Sequence, residues 1–275
     1  MTNSEKCGHI AIIGRTNVGK STLINKLLKK NISITTKKIN TTISCINGIK
    51  TKNNNQMIFI DTPGPILNNK QNNNILSSIL ESNIILFVIE VLKIKKEDLY
   101  LFDMIKNTSK LSPIILIINK IDKLKMKDKL LPFIFDLSKR FNFHKIIPIS
   151  AKNNIQINNI EHEIIKILPD KEHIYKKNIQ TTSSRNFKIK ETIREQLIKN
   201  LYYELPYVLK INIDYVNNIK KIIIIHASII IKKYSQKIII LGKNGEKFRK
   251  INMMINKNLE KIFRKKIYIK IIIKK

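Results

Sequence analysis

The sequence is poor in glycine, tryptophan, cysteine and acidic residues. Its 275 residues include 7 glycines, 2 cysteines and no tryptophan. Two cysteines without metal-ligand spacing exclude a disulfide framework and favour a reducing, cytosolic compartment. Residues 1–6 contain no apolar signal-peptide core, and no apolar run reaches the length of a membrane-spanning helix. The length is that of about two domains with ample hydrophobic cores.

The shortage of acidic residues leaves a large positive charge. The chain has 20 Asp and Glu against 52 Lys and Arg, a formal net charge of +32. A polyanion is the natural partner of such a protein. The excess of basic residues is denser in 171–275 than in 1–170. The chain is also rich in Ile, Asn and Lys, and this bias explains some of the charge but not its gradient.

Two of the scarce glycines lie in the first motif, Gly-x-x-x-x-Gly-Lys-Ser. It follows an apolar run at 9–13 and precedes a helical pattern at 22–30. This strand–loop–helix context is that of a phosphate-binding P-loop, in which backbone N–H groups surround the α- and β-phosphates. Lys20 then reaches the β/γ oxygens and Ser21 binds Mg²⁺; the alternative is an ordinary strand-to-helix turn. The predicted nucleotide contacts are Gly14, Arg15, Thr16, Asn17, Val18, Gly19, Lys20 and Ser21.

A second motif, Asp-Thr-Pro-Gly, follows the apolar run 57–60. Asp61 is predicted to hold Mg²⁺ through a water, and the Gly64 N–H to contact the γ-phosphate. Upstream, Thr42 is the predicted switch threonine for Mg²⁺, with Thr41 as the alternative and plain loop threonines as a third interpretation. The remaining predicted nucleotide contacts of this region are Thr62, Pro63 and Pro65.

Base selection is predicted in Asn119-Lys120-Ile121-Asp122. A carboxylate at Asp122 accepts hydrogen bonds from guanine N1–H and the 2-amino group, which adenine does not offer. Lys120 lies over the purine, and Asn119 ties the loop to the P-loop. In Ser150-Ala151, the Ala151 N–H is predicted to donate to guanine O6. Together and in this order, the motifs predict a site for GTP and GDP with Mg²⁺, with Lys20, Asp61, Gly64 and Asn17 as its catalytic residues.

The pattern around these motifs predicts an α/β fold. Continuous apolar strands alternate with helices, which is typical of a parallel sheet covered on both faces. Each motif follows the C-terminal end of a strand, where such sheets bind ligands. We therefore predict a Ras-like P-loop GTPase domain at 1–169 and a polar linker at 170–186.

The pattern changes in the remainder, 187–275, which predicts a separate α+β domain. A helix at 188–201 and strands near 208–215 and 222–231 precede an apolar run, 237–241, predicted as a strand. Helices at 246–254 and on to 263 follow, with a last strand at 266–273, in an α-β-β-α-α-β order. A Gly-x-x-Gly loop in basic surroundings lets backbone approach a nucleic-acid phosphodiester, as in KH domains. The predicted RNA contacts are Gly242, Lys243, Asn244, Gly245, Lys247 and Lys250.

On these motifs the chain resembles the Era family of bacterial GTPases. The similarity includes the P-loop, DTPG, NKID and ISA motifs, the stretch 191–207 and the loop GKNGEKFRKI. The resemblance implies a GTP-hydrolysing factor in assembly of the small (30S) ribosomal subunit, with a type II KH domain that holds the 3′ end of 16S rRNA. It also implies a cytoplasmic protein, expected to be a monomer, that contacts the inner membrane peripherally.

The chain departs from the family pattern at several places. Thr16 replaces the usual Pro, Pro65 replaces the usual Leu, the stretch 216–219 is shorter, and the sequence stops at the last KH strand without the usual extension. Asn17 occupies a P-loop position where related GTPases hold K⁺, and its alternative role is to brace the loop. Two other functions stay open: an RNA-binding factor that binds GTP with little turnover, and a GTPase of tRNA modification, which would leave the GxxG loop unexplained.

Overall fold

The computed structural model describes residues 4–29, 46–65, 72–108, 112–177, 179, 181, 184–201 and 205–275. The chain divides into two compact units, Met1–Thr182 and Ser183–Lys275. Thr41 and Thr42, the two candidate switch threonines, lie outside the described residues.

The first unit contains a six-stranded sheet in the order β2-β3-β1-β4-β5-β6. β2 runs antiparallel to β3, and the other pairs are parallel. The predicted parallel sheet is present, and β2 adds an antiparallel strand to it that the polar sequence of 46–52 did not indicate. The strands are β1 (Lys6–Ile13), β2 (Ile46–Lys52), β3 (Asn55–Asp61), β4 (Ile84–Glu90), β5 (Ile114–Asn119) and β6 (Lys145–Pro148).

Helices cover both faces of this sheet. Because side chains alternate along a strand, Ile10 and Ile12 of β1 enter one core while Ala11 and Ile13 enter the other. The first core is completed by α1 and α5, and the second by α2, α3 and α4. These helices are α1 (Lys20–Leu28), α2 (Asn73–Glu81), α3 (Lys96–Thr108), α4 (Leu130–Arg140) and α5 (Ile157–Ile167).

The described part of the predicted linker, 170–186, contacts the edge of the first unit. Asp170 bridges to Lys6, and Thr181 bridges to Gly48. The Gln56 side chain donates to the Tyr175 carbonyl at 2.7 Å and accepts from its N–H at 2.9 Å. The described linker residues are thus bonded to the first unit, an arrangement that their polar composition does not reveal.

The second unit contains a three-stranded sheet ordered β7-β8-β9. The predicted order α-β-β-α-α-β lacked the short helix at 205–208 and divided residues 246–263 into two helices. The prediction of a strand at 237–241 was wrong, because this run is the second half of helix α8. Short isoleucine-rich runs fit a strand and a helix equally well, so periodicity does not separate them. Residues 246–263 form one helix. The elements are α6 (Arg185–Asn200), α7 (Leu205–Val208), β7 (Lys210–Ile219), β8 (Ile222–Ile230), α8 (Tyr234–Leu241), α9 (Glu246–Phe263) and β9 (Lys266–Lys274).

The core of the second unit lies on one face of this sheet. Ile193 and Leu197 of α6 and Ile255 of α9 pack against Ile225 and Ile229 of β8, and all five are fully buried. α6 begins with Ser184, whose hydroxyl accepts from the Phe187 N–H at 3.1 Å. None of the helices in the described ranges combines the length and apolar character needed to cross a membrane.

Candidate functional site

The P-loop joins β1 to α1 and holds a buried lysine. The Lys20 ammonium donates to the carbonyls of Gly14 at 2.6 Å and Arg15 at 3.0 Å. Burial lowers the pKa of Lys20 to about 8, although the nearby Asp61 acts in the opposite direction. A desolvated ammonium gains much of its charge stabilisation from an anion such as a phosphate, so the residue fits a nucleotide β/γ-phosphate.

Two glycines of this loop are required by close approaches. A Cβ on Gly14 would lie 2.3 Å from the Val88 carbonyl oxygen. Gly19 has φ +104°, and a Cβ there would lie 2.3 Å from Nδ2 of Asn119. The second contact means that Gly19 sets the distance between the P-loop and the loop predicted to bind the base.

The residues predicted to hold Mg²⁺ lie side by side. The Ser21 hydroxyl donates to Oδ2 of Asp61 at 3.1 Å, and Asp61 is fully buried at the end of β3. The Thr62 hydroxyl donates to the Ile12 carbonyl at 2.8 Å, which joins β3 to β1. A hydroxyl and a carboxylate oxygen are hard ligands suited to Mg²⁺, so the pair fits the ion predicted from the sequence.

Gly64 brings the DTPG segment against the P-loop. A Cβ on Gly64 would lie 2.3 Å from Cγ2 and 2.9 Å from the backbone nitrogen of Thr16. The next residue, Pro65, is buried and has no N–H to donate. The two segments predicted to contact the γ-phosphate are therefore in direct contact with each other.

Asn119 connects three segments of the site. Its Nδ2 donates to the Val18 carbonyl at 2.8 Å, so the predicted tie to the P-loop is present. Its Oδ1 accepts from the backbone N–H groups of Lys120 at 2.7 Å and Ala151 at 3.0 Å. Since Asn119 is only 2% exposed, it acts as a fixed link rather than as a surface group.

The base-recognition carboxylate is positioned by a serine. The Ser150 hydroxyl donates to Oδ1 of Asp122, and Ser150 itself is fixed by backbone hydrogen bonds with Ile155 in both directions. Asp122 is exposed, so it remains accessible to a ligand. The Ala151 N–H donates to Asn119 here, so its predicted contact with guanine O6 requires this bond to be shared or exchanged.

Glu90, at the end of β4, is a site residue that the sequence analysis missed. Its carboxylate accepts from the Lys120 ammonium at 2.7 Å, and the same ammonium donates to the Asn17 carbonyl. Burial alone would raise the pKa of Glu90, but Lys120 and two further lysines lower it to about 2. The sequence offered only its position directly after the apolar run 84–89, and the structure adds its pairing with Asn119 across β4 and β5. The further lysines are Lys93 at 3.3 Å and Lys123 at 3.6 Å.

Arg15 faces the protein interior. Its Nε donates to Oδ2 of Asp98 at 2.9 Å, and its guanidinium lies 3.8 Å from Glu90. Burial raises the pKa of Asp98, while the Lys95 N–H and Arg15 stabilise its charged form. Arg15 is 8% exposed. Its side chain therefore stabilises the P-loop from the interior of the first unit.

In the second unit, Gly242-Lys243-Asn244-Gly245 joins two helices, α8 and α9. Gly242 and Gly245 have φ of +69° and +74°, and Asn244 also has positive φ. A Cβ on Gly242 would lie 2.6 Å from Cβ of Lys247, while Gly245 has open space. Lys243, Asn244 and Lys250 are exposed. The loop is thus a tight turn with accessible cations.

Comparison with known proteins decides the family. The family described as "50S ribosome-binding GTPase" matches residues 9–120, and the KH domain family matches residues 204–275. GTPase Era of Buchnera aphidicola is 43% identical over 94% of this chain and 93% of the relative, and GTPase Era of Coxiella burnetii is 37% identical over 98% and 92%. The chain belongs to the Era family of GTPases.

Solved Era structures have the same fold. An Era variant of Aquifex aeolicus bound to GDP and AlF4⁻ is 29% identical, with a TM-score of 0.91 over 98% of this chain and 93% of the relative. An Era complex with MgGDPNP and nucleotides 1506–1542 of 16S ribosomal RNA matches equally well. The Ras-like P-loop domain and the KH domain predicted from the sequence are confirmed, and this member of the family is a GTPase that hydrolyses GTP to GDP and phosphate.

Proposed function

We propose that this GTPase binds the 3′ region of 16S rRNA through its KH domain and acts in assembly of the small ribosomal subunit. The observation that carries the proposal is the tight, exposed Gly242–Gly245 loop between two helices of a basic domain. A related Era protein is bound to nucleotides 1506–1542 of 16S rRNA, which supports the choice of RNA. The domain limits 1–169 and 187–275 stay predictions, since the compact units divide between Thr182 and Ser183 and α6 begins at Arg185. A cytoplasmic monomer and a peripheral membrane contact stay predictions.

The nucleotide site is proposed to work by positioning and charge. Lys20 stabilises the β/γ-phosphate oxygens, while Ser21 and Asp61 hold Mg²⁺. When bound, Mg²⁺ neutralises charge that develops on the phosphate oxygens. The Gly64 N–H orients the γ-phosphate, and Asp122 selects guanine. The other loop residues named from the sequence act through backbone N–H groups and packing.

Hydrolysis in this site has no glutamine after the DTPG glycine. Pro65 takes that place, and the guanidinium of Arg15 is paired with Asp98. We infer that K⁺ held beside Asn17 stabilises the developing charge, since electrostatic preorganisation supplies most of the rate. Turnover is then expected to be faster in KCl than in NaCl, and slower in Asn17→Ala with GTP affinity retained. Equal turnover rates in both salts would contradict the role of K⁺ and would mean that Asn17 only stabilises the loop.

A second candidate is an RNA-binding factor that binds GTP with little turnover, which Pro65 favours because it offers neither a polar side chain nor an N–H. Phosphate release measured with and without small subunits separates the two. Turnover that stays negligible in both conditions favours the second candidate. A GTPase of tRNA modification would instead crosslink to tRNA and not to the 3′ end of 16S rRNA.

The RNA function is tested by reversing charge in the loop. Lys243→Asp with Asn244→Asp keeps both glycines and places two carboxylates against the phosphodiester. We expect at least a tenfold loss of affinity for RNA 1506–1542 with unchanged GTP affinity. The matched control is Lys125→Asp with Asn158→Asp, the same change of charge at exposed positions of the first unit. Equal RNA affinity in both variants would contradict the proposal.

A further inference from the structure

The sheet of the second unit has a face opposite its core, here called the outer sheet face. It is formed by alternate residues of β7, β8 and β9. Within the described residues its large side chains are half exposed, with Tyr215 at 49%, Tyr268 at 51% and Ile219 at 48%. Their strand neighbours, such as Ile225 and Ile267, are buried in the core. The outer sheet face therefore presents aromatic and apolar groups at the surface, and a patch of such groups is typical of a binding site.

The strand register places the rings of this face next to each other and next to cations. Tyr215, His226 and Lys270 form one row across the three strands, and Asn217, Ile224 and Tyr268 form the next. The Tyr215 and His226 rings lie 5.5 Å apart between centroids. The Lys266 ammonium lies 5.4 Å from the centroid of Tyr268. The rings of Tyr215 and His226 thus occupy one row, and the ring of Tyr268 occupies the next, beside the Lys266 ammonium.

The charge of the face is predominantly positive. One carboxylate is present, Asp214 at the bulge of β7, and it is engaged by the Ser228 hydroxyl at 3.0 Å and by Lys274 at 3.4 Å. The cations are more numerous and exposed. Such a face is complementary to a polymer that carries both negatively charged phosphates and planar bases. The exposed lysines are Lys210, Lys266, Lys270 and Lys274.

We propose that the outer sheet face is a second RNA-binding surface, which takes unstacked bases of single-stranded RNA on Tyr215 and Tyr268 and phosphates on Lys266 and Lys270. Aromatic side chains on a sheet stack bases in this way in other RNA-binding domains, with little dependence on sequence. The proposal rests on the RNA-binding function proposed above and adds a surface to the loop 242–245. RNA is favoured over a membrane because the most exposed large side chains of this face are Tyr268 and Tyr215, whose rings offer π-faces to bases.

The test uses the full chain and two RNA probes, the 16S nucleotides 1506–1542 and an oligouridylate. Tyr215→Leu with Tyr268→Leu keeps apolar bulk on the strands and removes both π-faces. We expect affinity for each RNA to fall about tenfold, since base stacking is lost. The matched control is Phe135→Leu, which removes an exposed ring of the first unit that also has a lysine, Lys139, 4.2 Å from its centroid. That control is expected to bind RNA as the native chain does.

A second variant covers the case in which the tyrosine pair impairs folding. Lys270→Gln changes an exposed side chain, and it is expected to reduce the slope of log affinity against log salt by about 1. GTP affinity and thermal unfolding verify that each variant is folded. Unchanged affinity in the tyrosine pair, or an unchanged slope in Lys270→Gln, would overturn the proposal.

Other outcomes separate the proposal from its alternatives. An equal loss in Phe135→Leu would overturn it, because the effect would not belong to the sheet. Loss of binding to anionic phosphatidylserine vesicles with unchanged RNA binding would assign the face to a membrane instead. If charge reversal at Lys243 and Asn244 weakens RNA binding and the tyrosine pair does not, the function stands and this inference fails. If the tyrosine pair weakens RNA binding and the charge reversal does not, the proposed role of the loop 242–245 fails.

Discussion

The two sites of this protein are built in opposite ways. In the first unit most polar side chains of the site are buried and bonded to each other, with Asp61 and Ser150 fully buried and Asn119 2% exposed, while the exposed Asp122 is held by Ser150. In the second unit the polar groups of the loop 242–245 are exposed and its backbone conformation is fixed by glycine. A small ligand that must be distinguished from close analogues needs partners held in fixed positions, whereas a polyanion is bound by accessible charge.

The largest expected effect comes from Gly19, which is compared with Gly245, a second glycine with positive φ. Gly19→Ala places Cβ 2.3 Å from Asn119, whereas Gly245→Ala meets nothing within 4 Å. Backbone strain and the broken Asn119 link are expected to weaken GTP binding by about 4 kcal/mol. Gly245→Ala is expected to cost about 1 kcal/mol of unfolding free energy, from its left-handed φ alone. Calorimetry measures the GTP affinity, and thermal unfolding measures the stability. Unchanged GTP affinity in Gly19→Ala would contradict the description of a buried network.

The next prediction concerns the carboxylate that Ser150 positions. Asp122→Asn removes the charged acceptor, so GTP affinity is expected to fall by about 3 kcal/mol. Xanthine nucleotides are expected to bind better, because their 2-carbonyl accepts from the new amide. RNA affinity of the second unit is expected to stay the same. Unchanged GTP affinity by calorimetry would show that guanine is recognised elsewhere.

A substitution at Glu90 tests whether the hydrogen-bond network of the nucleotide site includes residues outside the sequence motifs. Glu90→Gln removes the charge that pairs with Lys120, and we expect GTP affinity to fall by about 1.5 kcal/mol. Exposed Glu172→Gln is the control. Because the pKa of Glu90 is lowered to about 2, its charge stabilises the folded state fully above pH 4.5, the usual glutamate value. The difference in unfolding free energy between native chain and variant should therefore shrink from pH 4.5 towards 2.

The smallest expected effect is the uptake of a proton by Lys20 when GTP binds. Its pKa of about 8 leaves part of the ammonium deprotonated in the free protein, and bound phosphates raise that pKa. GTP binding should therefore take up about a quarter of a proton at pH 7.5 and about three quarters at pH 8.5. Calorimetry in buffers of different ionisation enthalpy measures the uptake. An uptake that does not increase over this range would mean that Lys20 is fully charged before binding.

Much of this arrangement was predictable because contiguous residues define it. The P-loop, DTPG, NKID and ISA motifs each follow a buried strand, and parallel strands bring their carboxyl ends to one edge. The GxxG loop was likewise identified, although the preceding run was assigned as a strand. That error has a physical cause, since Ile238 and Ile239 are 60% and 50% exposed on a helix and their sequence reads as a buried strand.

The sequence alone determined the motifs, most of the helices and strands and the positive charge, because each is a local or summed property of the chain. Only the tertiary structure decided which distant groups meet. It paired Arg15 with Asp98, placed Glu90 between the P-loop and Lys120, and added the antiparallel strand β2. It also aligned Tyr215 with His226 and Lys270. These contacts depend on strand register and helix packing, which relate residues far apart in the chain and leave no local pattern.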